Sequence, residues 1–172
     1  MSFSSILRYT LGALLFSLAA CGLWLAWRLG RRRPWARRDT QMLICVGYLS
    51  ALIQITGLRL GLVAPSFLGG RLNLVPFRTT LSEWAGGIWP FLYHVLGNML
   101  WFVPLGFLLP RLHKRCRWSH VLLCGALVSL LAEVLQFLMG SGVSDVDDLI
   151  LNALGALLGW LMHRLFRQNT II

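Results

Sequence analysis

The sequence predicts an all-α membrane protein, a single bundle of about five transmembrane helices with the N-terminus outside and the C-terminus inside. Three observations predict it. Of 172 residues, 57% are hydrophobic and 13% are charged, against roughly 45–50% and 25% in a soluble domain, and mean hydropathy is +0.69. Five apolar stretches, 6–28, 41–64, 91–110, 120–140 and 149–166, approach the roughly 20 residues that cross a bilayer. The basic residues behind the net charge of +10 lie in short clusters between those stretches, which specifies topology and argues against nucleic-acid binding.

The first stretch runs through "GLWLAWRLGRRR" into arginines. Its "LAAC", Leu18 to Cys21, matches a lipoprotein cleavage pattern, but only Arg8 precedes it and the apolar run continues, so it reads as a span and not as a removed signal. The second stretch carries Arg59 near its outer end. Residues 65–90 are rich in Gly, Pro and Trp and read as an interfacial or re-entrant segment. The third stretch holds His94 and Asn98 one turn apart, then Pro104. In the fourth, Gly125, Ser129, Glu133, Gln136 and Gly140 recur every three or four residues and share one face. The fifth is short and begins among Asp145, Asp147 and Asp148; Asp145, Asp148, Asn152, Gly155 and Gly159 share a face, and "GALLG" allows close helix approach.

Arginine and lysine set the orientation. Twelve of sixteen follow span one (Arg28, Arg31, Arg32, Arg33, Arg37, Arg38), follow span three (Arg111, Lys114, Arg115, Arg117) or end span five (Arg164, Arg167). One side therefore carries most of the positive charge and is cytoplasmic. The four cysteines form no CxxC pair and have no His at ligand spacing, so they read as reduced core residues, and no cofactor motif is present.

Polar side chains in hydrocarbon face the bundle interior or a wet cavity. At about 1.5 Å per residue, Glu133 and Asn98 lie roughly 10 Å inside the outer ends of their spans, and Asn152 about 6 Å from Asp148. The expected site is an outward-facing pocket lined by Glu133, Gln136, Asn98 and Asn152, with Asp145 and Asp148 at its mouth and Arg71, Asn73, Arg78 and His94 beside it. Structural readings stand alongside. Asn98, Asn152 and the glycines also serve as interhelical contacts, Asp145 and Asp147 as a helix cap and solvated loop, and Glu133 as one half of an ion pair with Arg59, Arg71 or Arg78. His94 supplies either a proton or a hydrogen bond.

These residues fall in four ordered stretches: "RLNLVPF" (71–77), "GNMLWFVPLGFLLP" (97–110), "EVLQ" (133–136) and "SDVDDLILNALGALLG" (144–159). Together they resemble the VanZ-like family of bacterial membrane proteins over about 71–166. The family's marked positions fall on Arg71, Asn73, Pro76 and Phe77, on Asn98, Pro104, Leu105 and Gly106, on Glu133 and Gln136, and on Asp145, Asp148, Asn152 and Gly155. Gly142 stands where many members have Arg. The resemblance implies a multi-pass protein of the bacterial plasma membrane that contributes to resistance against teicoplanin, a lipid-tailed glycopeptide. Its partners would be membrane lipids, a lipid-linked envelope component or the lipoglycopeptide itself. Two alternatives remain. One is an enzyme on a lipid-linked phosphate, with Asp145, Asp147, Asp148 and Glu133 holding Mg²⁺ or Ca²⁺, although no GxSxG or other standard catalytic motif is present. The other is a small proton-coupled transporter using Glu133, although no clear inverted repeat appears.

Overall fold

The computed structural model describes residues 3–58, 68–113 and 115–168. Helix α1 (Phe3–Gly30) has no distinct polar face, and apart from Arg28, which is buried, its spanning portion, Thr10–Gly30, is not buried inside the protein. Such a helix needs lipid around it. Past Gly30 the chain turns at Arg32 (φ 47°) and re-enters a helix after Pro34. Helix α2 (Arg37–Ile53) starts where the Asp39 carboxylate accepts the Ala36 N–H at 2.8 Å, occupying a donor that the helix itself cannot satisfy. The other partner of Asp39 is Arg28, bound through Nε and Nη2 at 2.7 Å each. The Arg28 guanidinium, with the Ala36 N–H, holds the Asp39 carboxyl at about 2, below its ordinary range.

A π-helical turn, Gln54–Leu58, continues α2. After the undescribed segment come a short strand β1 (Arg71–Asn73), helix α3 (Arg78–Gly86) and helix α4 (Ile88–Leu112). Gly87, at φ 124°, separates α3 from α4 in a conformation that a side chain would resist. Helix α5 (Trp118–Met139) stops at Gly140, strand β2 spans Val143–Asp145, and helix α6 (Val146–Gln168) follows directly.

Among the described residues four helices, not five, are long and apolar enough to cross a membrane: Thr10–Gly30, Ile88–Leu112, Trp118–Met139 and Val146–Arg167. Of the expected second span, 41–64, the described part is α2, which opens on Arg37, Arg38 and Asp39, and the π-helical turn that carries the helix on to Leu58. Arg59 and the end of that stretch lie outside the described residues. Residues 68–90 are more ordered than a loop. Leu68 N and Gly70 N donate to the carbonyls of Leu138 and Phe137, at the C-terminal end of α5. Strand β1 then pairs in parallel with β2, Arg71 opposite Val143 and Asn73 opposite Asp145. The bundle is thus helical apart from this one small bridge.

Helices α4 and α6 form the largest interface. They run parallel, because Met99, Val103 and Phe107 of α4 successively meet Gly155, Gly159 and His163 of α6. A Cβ on Gly106 would overlap the backbone of Ala156, and one on Gly155 the backbone of Met99. Backbone therefore touches backbone. Helix α5 runs antiparallel to α6, with Gly125 against Ala153 and Ala156 and Ser129 beside Asn152. The core of Leu52, Phe102, Leu105, Val121 and Ala156 joins α2, α4, α5 and α6. Tyr48 of α2 donates its hydroxyl to the Trp101 carbonyl, next to the Leu100 carbonyl that Pro104 deprives of its usual N–H partner.

Candidate functional site

Residues 145–148 are the hub of the molecule, and their aspartates together reach β1, α3 and α4. Asp145 ends β2, is buried (6% exposed), and accepts the Asn73 side-chain amide at 3.1 Å on both oxygens. It also accepts the Thr79 hydroxyl. Asp147 is buried still deeper (1%) and caps α3 from across the fold. It accepts the backbone N–H of Phe77, and the N–H and hydroxyl of Thr80 at 2.9 and 3.0 Å. Phe77, at φ 64°, has no side-chain cap of its own to offer α3. A carboxylate at that helix N-terminus satisfies orphan donors and meets the positive end of the dipole. Asp148 reaches α4, where Asn98 Nδ2 donates at 2.8 Å and His94 Nδ1 lies 3.7 Å away.

Helix α5 completes the arrangement. Glu133 Oε2 accepts the Asp145 N–H at 2.8 Å, and the Glu133 carbonyl accepts the Ser144 hydroxyl at 2.7 Å. One turn on, Gln136 Nε2 donates to the Val143 carbonyl at 2.7 Å. The polar stripe of α5 therefore lies along β2 and supplies the hydrogen bonds that a two-stranded sheet leaves open. Deeper between α5 and α6, Asn152 Nδ2 donates to Ser129 Oγ at 2.9 Å.

The expected polar residues are gathered, but not as an open polar pocket. Asp145 is not at a hydrated mouth, because side-chain donors from β1 and α3 and the Asp147 N–H enclose it while its own N–H is taken by α5. Glu133 and Gln136 face β2, whereas Asn98, His94 and Asp148 meet between α4 and α6, joined to Asp147 through the Thr80 hydroxyl, 3.5 Å from His94 Nε2. Arg71 and Arg78 are exposed. The Gly142 carbonyl accepts the Arg71 N–H at 3.4 Å. Among the described residues no three His, Cys, Asp or Glu side chains are grouped to hold a metal ion. The four acids considered for Mg²⁺ or Ca²⁺ instead accept hydrogen bonds from separate segments. Thr79, Thr80 and the Phe77 N–H were not anticipated; the adjacent threonines just after Pro76 and Phe77 are the one sequence signal for them.

What is open beside this network is apolar. A groove of about 190 Å³ lies between β1 and the residue after it (Leu72, Leu74), α5 (Leu130, Val134) and the start of α6 (Val146, Leu149). Glu133, Ser144 and Asp145 border it but are buried beneath the surface, so its accessible wall is hydrocarbon.

A family model for VanZ/LLP1 matches residues 45–167, well over half the chain. This protein belongs to the VanZ/LLP1 family. Protein VanZ of Enterococcus faecium is 29% identical over 98 residues, covering 57% of this chain and 55% of that protein. The match thus spans about half the length of that relative. No solved structure matches significantly. The VanZ/LLP1 region contains the whole hub and groove but begins at Cys45, leaving α1, the arginine-rich turn and the start of α2 outside it.

Proposed function

We propose that this VanZ/LLP1 protein is a multi-pass protein of the bacterial plasma membrane that holds the acyl part of a lipid-linked envelope component or lipoglycopeptide, and contributes to teicoplanin-type resistance. The apolar groove over the buried hub carries this reading. Its walls come from three elements, β1, α5 and α6, that the hub residues fix relative to one another. Such a groove is pre-formed, so little conformational entropy is lost when a chain enters. Each buried methylene contributes about 0.8 kcal/mol. Exposed Arg71 and Arg78, on either side of the β1–α3 turn, supply positive charge for an anionic head group.

The membrane orientation supports the same reading. The Arg111, Arg115 and Arg117 region lies at one end of the bundle with Arg164 and Arg167, since Trp160 donates to the Cys116 carbonyl at 3.4 Å. If that end is cytoplasmic, as the positive-inside rule has it, the groove faces the outer leaflet. The test compares a lipid-tailed glycopeptide with one lacking the tail, in a susceptible strain carrying wild-type protein, Val134→Trp or an empty vector. The expected result is protection against the tailed drug alone, lost in Val134→Trp at unchanged membrane abundance. Equal protection against both drugs, or full protection by Val134→Trp, overturns the reading.

A further inference from the structure

A second groove lies at the arginine-rich turn between α1 and α2. It encloses about 850 Å³ and is lined entirely by residues that precede the family match. Part of its lining is apolar, with Leu23, Trp24, Trp27 and Met42, and part is cationic, with Arg31, Arg33 and Arg38. Of the remaining charged liners, Arg28 pairs with Asp39, whose carboxylate Arg38 also stabilises, so the lining carries four cations against one acid.

The turn is built to hold this charge. Arg28 donates Nη1 to the Arg33 carbonyl at 3.2 Å and Nη2 to the Pro34 carbonyl at 2.7 Å, so the clasp with Asp39 also fixes the course of the turn. Trp24 and Trp35 meet edge to face with centroids 6.2 Å apart, and the Arg31 guanidinium lies 3.9 Å from the Trp27 ring centroid. Arg32 occupies the left-handed region, where glycine would fit with less strain; the sequence places a cation there instead. Alongside runs α1, whose span buries only Arg28 in the protein, so acyl chains surround the hydrocarbon part of the lining.

From this geometry we infer that the α1–α2 groove binds an acidic phospholipid, its phosphate against Arg31, Arg33 and Arg38 and the start of an acyl chain along Leu23, Trp24, Trp27 and Met42. A diffusible phosphate would use only the cationic part of the lining. The amphipathic lining selects a ligand with charge and hydrocarbon joined at the membrane surface.

The test is native mass spectrometry of the full chain released from detergent after titration with cardiolipin, phosphatidylglycerol or phosphatidylcholine. Wild type is expected to retain the two acidic lipids preferentially, and each of Arg31→Gln, Arg33→Gln and Arg38→Gln to weaken retention about fivefold. All three leave the Arg28–Asp39 clasp intact, and circular dichroism verifies the helices. Two comparisons separate a groove from general surface charge. Trp27→Leu keeps the net charge and should still reduce acidic-lipid retention, whereas Arg164→Gln/Arg167→Gln removes two charges elsewhere and should leave it unchanged. Inorganic phosphate should not displace the lipid at equal concentration. Retention indifferent to head-group charge, equal losses from both arginine sets, no effect of Trp27→Leu, or displacement by phosphate would each overturn the assignment.

Discussion

At the residue scale, the buried acids are structural joints. Asp147 receives two backbone N–H groups and a hydroxyl from the start of α3. Removing its carboxylate strands those donors away from water. Asp147→Ala should therefore cost about 2–4 kcal/mol, from a lost cap and unsatisfied polar groups, seen as a lower melting temperature in detergent; Asp147→Asn, which keeps one acceptor oxygen, should lose less. Asp39 differs because its joint responds to pH. Its folded value, about 2, lies below the ordinary value of about 4, so its contribution is present above about pH 4 and fades as pH falls toward 2. In Asp39→Asn that segment of the acid transition should disappear from tryptophan fluorescence of the α1–α2 turn. A profile identical to wild type would show that the clasp does not stabilise the turn.

At the scale of elements, the parallel crossing of α4 and α6 depends on positions without side chains. Gly106, Gly155 and Gly159 bring the two backbones into contact, where van der Waals packing replaces the hydrophobic drive that lipid removes. Gly155→Ala should force the helices apart at a cost of about 1–3 kcal/mol, as overpacking does elsewhere. Gly97, on the same α4, faces open space: a Cβ added there would meet nothing within 4 Å, and Gly97→Ala should be neutral or slightly stabilising. Equal melting temperatures for the two variants would contradict this crossing. The close pattern was legible as "GALLG", since spacing is a one-dimensional property. Gly106 as its counterpart was not, because nothing local says which helix lies opposite.

At the scale of the whole molecule, parallel α4 and α6 with antiparallel α5 against α6 put the hub at one end and the Arg111–Arg117 turn at the other. Cysteine labelling in intact cells, on a Cys116→Ser background, should modify Glu83→Cys in α3 from outside and His113→Cys only after permeabilisation. The reverse result would turn the groove toward the cytoplasm and remove the proposed envelope ligand. The hub also shows the limit of helical phase as a guide. Glu133 and Gln136, three apart, do lie along β2 from one face of α5, yet spacing could not reveal that 71–73 pairs with 143–145, which takes Asp145 out of helical phase, or that Asp147 is buried.

By itself the sequence determined that this chain is helical and apolar enough for a membrane, and where most of its candidate spans lie. Hydropathy, charge and helical period are local, and lipid leaves few alternatives. Only the tertiary structure decided what the polar residues face. A carboxylate buried beside free donors becomes a joint, and one beside water becomes a ligand site; residues 65–90 supplied the donors, through Asn73, Phe77, Thr79 and Thr80. Contacts across 66 to 72 residues of chain are set by the packing of the whole bundle, and that packing left an apolar groove where polarity alone had pointed to a wet pocket.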